Sequence, residues 1–156
     1  MKKFLLVLFI MLGTVSLAAP SHVDTAKIQQ DGHMTMIDED QTYSFAEAMN
    51  NSLLAVTYYV GEFGNGGLKQ VSETIKNQQL VNGIEYVGSG ESEYGYIHKL
   101  YAKEQGFYFY VVIGKRQKVK NYVVTGILQT TEDFTSKNDL KSVINLVVVK
   151  GEKYLK

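Results

Sequence analysis

The chain contains no cysteine, no tryptophan and a single proline, Pro20. Without cysteine it can form no disulfide bond, and it offers neither a thiol nucleophile nor a thiolate metal ligand. A bacterial lipoprotein carries its lipid on a cysteine directly after its leader, so that route to a membrane anchor is excluded. Stability must therefore come from packing alone, for which a hydrophobic content of 45% is sufficient.

The chain also lacks an excess of charge of either sign, because 16 Lys and Arg residues balance 16 Asp and Glu residues. This balance gives no electrostatic reason to expect binding to nucleic acid or to an anionic membrane. The glycine-rich segment 61–69 lacks the Gly-Lys-Ser/Thr ending of a phosphate-binding loop and the glycine spacing of a dinucleotide fingerprint. We interpret it as a flexible turn whose backbone amides, at the start of a helix, could hold a small anion weakly.

The amino terminus has the pattern of a secretory signal peptide. Lys2 and Lys3 precede an apolar run of about a dozen residues, too short to span a bilayer, and small residues follow. Ser16 and Ala18 suit a cut after Ala18. We therefore expect residues 1–18 to be removed, leaving an extracytoplasmic protein, periplasmic or secreted, without a stable membrane anchor.

The composition changes along the remaining chain. Residues 19–41 are mostly polar and predict a mobile or loosely packed arm. Residues 42–156 are expected to form a single domain. Its first segment, 42–51, contains Ser44 and Glu47 at capping-box spacing and predicts a short helix.

Strand and helix patterns then alternate. β-Branched and aromatic runs predict strands over residues 53–60, 84–87, 94–102, 107–113 and 119–128. Apolar residues at helical spacing predict helices over residues 68–80 and 137–148, the second with Ser136 as its N-cap. Because the connections between consecutive strands are short, we predict an α+β fold in which an antiparallel sheet carries helices packed on its faces.

The order of these elements resembles the PsbP-like superfamily, which includes an accessory protein of photosynthetic oxygen evolution and small secreted bacterial members. The resemblance spans residues 43–149 and is carried by three passages. These are the strand, glycine turn and helix of residues 53–83, the adjacent segments 107–110 and 121–125, and the closing helical segment 140–145. The tryptophan and proline common in the family's opening strand are absent here. Membership would imply an α/β/α sandwich that acts as a binding or assembly accessory, without shared catalytic residues or a cofactor.

Two sets of side chains could support other chemistry. His22, His33, Met34 and Met36 have the imidazole and thioether content of an extracytoplasmic copper site, although the two methionines could equally pack in a core. His98 could act as the base of a hydrolase with a nearby acid, but no Gly-x-Ser-x-Gly element supplies a nucleophile. A histidine in a sheet is the alternative, and we assign no catalytic residue.

Eleven tyrosines are the unusual feature of the composition. Tyr96, Tyr108 and Tyr110 on the predicted strands could form a contact surface, although packing under the helices is the alternative.

A basic hairpin tip with Lys115, Arg116 and Lys118 could add an electrostatic contact, in which case reversing charge there should leave the melting temperature nearly unchanged. The residues thus favour a non-enzymatic binding or accessory domain that contacts another extracytoplasmic protein. The alternative is a small-ligand or metal-ion carrier that uses the amino-terminal His/Met/Asp segment.

Overall fold

The computed structural model describes residues 21–38, 42–63, 66–81 and 83–156, so the predicted leader and its cleavage site lie outside the described residues. Within these ranges, three helices and seven strands follow one another in the order α1 (Thr25–Gln30), β1 (Met34–Asp38), β2 (Thr42–Met49), β3 (Ser52–Val60), α2 (Gly67–Gln79), β4 (Ile84–Glu91), β5 (Gly95–Ala102), β6 (Phe107–Gly114), β7 (Tyr122–Thr130) and α3 (Lys137–Glu152). None of the described helices is both long enough and apolar enough to cross a membrane.

All seven strands form one sheet in the order β1-β2-β3-β7-β6-β5-β4, and every neighbouring pair is antiparallel. The predicted α+β class with an antiparallel sheet is therefore confirmed. Strand β7, which is buried along its whole length, lies at the centre between β3 and β6, whereas β1 and β4 form the two edges.

Both faces of the sheet are covered, as alternation along β6 demonstrates. Tyr110 and Val112 pack in the cluster that includes Val147 of α3, whereas Phe109 and Val111 pack in a second cluster with Ile75 of α2. Successive side chains of a strand point to opposite faces, so α2 and α3 lie on opposite sides of the sheet. This explains why so many aromatic residues are needed inside a chain of this size.

Segment 42–49 is strand β2, so the prediction of a helix there is wrong. Tyr43 and Phe45 point into the core on the α3 face, whereas Ala46 belongs to the cluster on the other face. Ser44 lies opposite Thr57 of β3, and their hydroxyl oxygens are 2.8 Å apart in the interior. The side chains of this segment alternate between the two faces of the sheet, and the segment pairs with a strand on each side. These interactions stabilise a strand more than the local helix-capping pattern stabilises a helix.

The prediction of a mobile or loosely packed arm is also wrong for residues 21–38. Helix α1 buries Ile28 completely, and β1 extends the sheet by pairing with β2. The segment is tied to the end of the chain as well, because the Asp24 amide donates to the Tyr154 carbonyl at 2.7 Å.

Strand β4 is longer than its apolar residues indicate. It continues through the glycines to Glu91, with a register shift between Tyr86 and Gly88. The sequence 88–93 is therefore mostly strand, not the turn that its composition suggests. The final helix begins as predicted, since Ser136 and Asp139 form a reciprocal capping box.

Candidate functional site

A depression of about 290 Å³ lies between α2 and the edge formed by β4 and β5. Its walls are mainly polar and include Lys69, Ser72, Glu73, Ser89, Glu91 and His98. The register of the sheet explains the grouping, because Ser89 pairs with His98 and Glu91 pairs with Tyr96 on neighbouring strands. Helix α2 then brings Lys69, Ser72 and Glu73 over that corner of the sheet at helical spacing.

At the base of the depression, the Ser72 Oγ lies 2.8 Å from the His98 Nε2. Both side chains are almost fully buried, at 2% and 3% exposure. Burial is also the main reason that the pKa of His98 is lowered, so the imidazole is neutral at pH 7. A serine and a neutral histidine at this distance have the separation of a nucleophile and its general base.

The other ring nitrogen of His98 has no orienting partner. Nδ1 is buried, and no described residue provides a hydrogen-bond partner for it. Whether Nε2 or the Ser72 Oγ donates the hydrogen bond depends on the tautomer of the ring. No described acid contacts Nδ1 as the orienting acid of a hydrolase triad does.

Neighbouring lysines neutralise both carboxylates of the depression. Glu73 forms an ion pair with Lys76, and this hydrogen bond lowers the pKa of the Glu73 carboxyl. Glu91 lies 3.3 Å from the ammonium of Lys115. Lys69 makes no ion pair within the described part of the chain. The charge of Lys69 nevertheless helps to lower the pKa of the Glu73 carboxyl, so Lys69 is a lysine without an ion pair that lies near an acid.

A second feature lies at the other end of α2 and β4. Six large apolar side chains are exposed among the described residues, and four of them flank the turn between these elements, namely Leu80, Val81, Tyr86 and Val87. We call them the 80–87 patch. The turn is closed by a hydrogen bond from the Ile84 amide to the Val81 carbonyl at 3.0 Å. The patch lies beside β4, which is an edge strand and pairs only with β5 among the described strands.

The predicted tyrosine surface is divided between core and surface. Tyr110 is fully buried, and burial raises its pKa to about 12. Its hydroxyl donates to the Glu132 carbonyl and accepts from the Phe134 amide, so Tyr110 anchors the β7–α3 loop and cannot contact a partner. Tyr108 is half-buried and donates to Asp133 at 3.0 Å, and half-buried Tyr96 lines the depression.

The predicted basic tip lies between β6 and β7, but its cations contact this chain. Arg116 forms a two-pronged ion pair with the buried Glu152, with 2.7 Å from Nε to Oε1. Lys118 donates to the carbonyls of Glu152 and Leu155, at the end of α3. Lys115 donates to the Ser92 carbonyl at 2.9 Å and lies over the ring of Tyr96. Arg116 and Lys118 thus fasten the loop to the end of α3, and Lys115 fastens it to the connection between β4 and β5.

Three of the four predicted metal ligands have described side chains, and each has its own surroundings. His33 Nε2 lies 2.7 Å from the Tyr154 hydroxyl, and its ring packs between Phe45 and Tyr154. His22 is exposed, with its ring edge against Tyr122, and Met34 is exposed at the start of β1. The side chain of Met36 lies outside the described residues. No group of three or more His, Asp or Glu residues is arranged to hold a metal ion within the described ranges, and the carrier interpretation stays a prediction.

Sequence reasoning singled out His98 but missed Ser72. The signal was present, because Ser72 lies four residues after Leu68 and three before Ile75, on the buried stripe of α2. A serine on an apolar stripe needs a hydrogen-bond partner when it is buried. The 80–87 patch has no comparable signal in the sequence, because the exposure of its side chains depends on how α2 and β4 pack in the completed fold.

Comparison with known proteins gives no relative for this chain. No protein-family model matches it, and neither a curated protein nor a solved structure matches it at a significant level. The resemblance to the PsbP-like superfamily therefore stays a prediction.

Proposed function

We propose that the protein is a secreted, non-enzymatic binding domain that contacts another extracytoplasmic protein through the 80–87 patch. The observation that carries this proposal is the concentration of exposed apolar side chains at one place. Val81 and Val87 are each 51% exposed and Tyr86 is 46% exposed, on two elements joined by a short turn. Clustered apolar side chains of this kind, rimmed by polar groups, mark protein contact sites.

The patch lies on an edge strand, which raises the question of how a partner would bind. Outward backbone groups of β4 could pair with a further strand, but the register shift at Val87 interrupts such pairing. Exposed Glu85 and Glu91 on the same strand also discourage it. The proposed contact is therefore made by the side chains of the patch, against an apolar surface of the partner.

The sequence suggests that the hairpin cations contact a partner, whereas in this proposal they stabilise the fold of the chain itself. Arg116 and Lys118 are engaged with the end of α3, so they have few interactions left for an acidic partner. A contact made by apolar side chains should be insensitive to salt, whereas a contact made by exposed cations should weaken as salt rises. Salt dependence thus distinguishes the two surfaces.

The extracytoplasmic location is supported by the paired lysines, the short apolar run and the small residues of the leader. Amino-terminal sequencing of the protein recovered from the source cell tests this part of the proposal. The expected first residue is Ala19, and a chain that retains Met1 would contradict it.

The binding experiment compares aspartate substitutions inside and outside the patch. The chain from Ala19 onward is tagged, and proteins cross-linked to it in an extracytoplasmic extract are identified and purified for direct binding. Val81→Asp and Val87→Asp each place a charge in the patch. Val149→Asp is the matched control, because Val149 is 65% exposed on α3, on the opposite side of the sheet.

We expect the partner to bind the wild type and Val149→Asp equally well and to lose at least about tenfold in affinity for both patch variants, since burying an uncompensated carboxylate costs more than about 1.4 kcal/mol. The melting temperatures of the three variants should be similar, since all three sites are exposed. Equal binding by all variants, or binding that salt abolishes, would contradict the proposed surface.

A further inference from the structure

We propose that the polar depression between α2, β4 and β5 binds the carboxylate of a small organic acid. This site adjoins the 80–87 patch, because the ring centroids of Tyr86 and His98 are 6.2 Å apart, but its other lining residues lie toward the start of α2 and the end of β4. It goes beyond the proposed protein contact, and either proposal can fail without the other.

The first reason is the direction of the hydrogen bonds. We place the imidazole proton of His98 on Nε2, because Nδ1 has no partner among the described residues and a buried N–H without an acceptor is rarer in proteins than an acceptor without a donor. In this tautomer Nε2 donates to the Ser72 Oγ. The Ser72 hydroxyl proton is then available for an acceptor in the depression. The Ser89 hydroxyl lines the same depression and can donate as well.

The second reason is the balance of charge. The depression and the ion pairs at its rim contain the ammonium groups of Lys69, Lys76 and Lys115 and the carboxylates of Glu73 and Glu91. Lys76 and Lys115 compensate the two carboxylates, which leaves the charge of Lys69. One unpaired ammonium group suits a singly charged carboxylate, whereas a phosphate with a charge of about −1.5 to −2 would remain partly uncompensated.

The third reason is the position of the site at the first turns of α2. This helix has 13 residues, and its N-cap, Gly66, makes no side-chain hydrogen bond to the helix. Its first amide groups and the helix dipole therefore favour a negative charge nearby. Lys69, which lines the depression, lies in the first turn.

Size fixes the class of ligand further. A volume of about 290 Å³ exceeds that of a simple carboxylate group and leaves room for a short organic chain. The ring of Tyr96 lines the depression, with the Lys115 ammonium 4.3 Å from its centroid, and offers an apolar surface to that chain. The site therefore fits a small monocarboxylic acid.

The test is an NMR titration of the chain from Ala19 onward with propionate at pH 7. Propionamide has the same shape without the charge, and inorganic phosphate tests for a general anion site. Lys69→Gln removes the unpaired cation and Ser72→Ala removes the donor. Lys27→Gln on α1 is the matched control, because Lys27 is also exposed and lies on another part of the fold.

We expect saturable shifts of the Lys69, Ser72 and Ser89 amides with propionate and none with propionamide. Lys69→Gln should weaken binding about tenfold, the usual effect of losing one charged hydrogen bond, and Lys27→Gln should leave it unchanged. No saturable shift, equal binding of propionamide, tighter binding of phosphate or an equal effect of both lysine variants would overturn the proposal.

The protonation of His98 provides a second readout that does not depend on binding. A long-range nitrogen–proton spectrum should place the ring proton on Nε2. A proton on Nδ1 would overturn the proposal, because Ser72 would then donate its hydroxyl proton to His98 and have none for a ligand.

Discussion

The packing of α3 against the sheet should make the effect of Gly151→Ala on stability depend on the residue at position 124. We expect this substitution to destabilise the wild type and to stabilise a variant with a smaller side chain at position 124. Gly151 lies in the last turn of α3, where alanine is favoured over glycine by up to about 1 kcal/mol. The three atoms nearest to a Cβ at this position all belong to the side chain of Val124 on β7, with Cγ2 at 3.0 Å, Cβ at 3.2 Å and Cγ1 closer still. Real Cβ atoms do not approach this closely, so either the helix or Val124 must shift.

We therefore expect Gly151→Ala to destabilise the wild-type protein. Overpacking a core costs about 1–3 kcal/mol, and the gain in helix propensity offsets only part of it, which leaves a net loss of about 1–2 kcal/mol. Val124→Ala removes the two closest atoms, Cγ1 and Cγ2, and leaves only Cβ at 3.2 Å, at the expense of a cavity. In that background Gly151→Ala should stabilise the protein by up to about 1 kcal/mol, so the two substitutions should couple by about 2 kcal/mol.

Urea unfolding of the wild type, both single variants and the double variant measures this coupling. The slope of the free energy of unfolding against urea should be the same in all four proteins, so that the midpoints report stability. Additive effects, or a loss of stability from Gly151→Ala in the Val124→Ala background, would refute the view that Val124 alone excludes a side chain at position 151.

Two further predictions concern ionisable groups. Burial lowers the pKa of His98 below its value in the unfolded chain, about 6.5. The wild type should therefore lose stability relative to His98→Gln as the pH falls below about 6.5, and the difference between the two proteins should not change above that pH. A constant difference in the free energy of unfolding from pH 7 to pH 5 would contradict this. Arg116→Glu should lower the melting temperature, because the buried Glu152 loses its guanidinium partner. The sequence alone predicts that charge reversal at this loop leaves the melting temperature nearly unchanged. Lys120→Glu on the same loop is the control and should have little effect, and equal melting temperatures of the two variants would contradict the prediction.

The strands and helices that sequence predicts correctly are those whose signal is local. The segment 53–60 is β-branched and aromatic throughout and lies at the centre of the sheet as β3, and the capping box of Ser136 and Asp139 begins α3 as expected. The segment 42–49 is different, since its spacing fits both a helix and a strand. Its pairing with β1 and β3 decides the outcome, and both partners are contacts that no local window contains.

The candidate site is less predictable for the same reason. Ser72 and His98 are 26 residues apart, and they meet only because α2 folds back over the corner of the sheet that contains β5. For the basic loop, the sequence predicts exposed cations where the structure has an ion pair. Arg116 belongs to a basic segment typical of an exposed tip, but it pairs with Glu152, which is 36 residues away on α3. Sequence indicates which residues can carry charge or donate hydrogen bonds, whereas partners at this separation depend on the completed fold.

The hydrogen bonds that join the two ends of the described chain have a consequence for how the protein assembles. Val23 bridges to Leu155, the Lys156 amide donates to the His22 carbonyl at 2.9 Å, and the Asp24 amide donates to the Tyr154 carbonyl. These three backbone contacts of residues 22–24 cannot form until residues 154–156 have been synthesised. In a chain that folds while it is made, they are therefore among the last contacts to form, although β1 can already pair with β2.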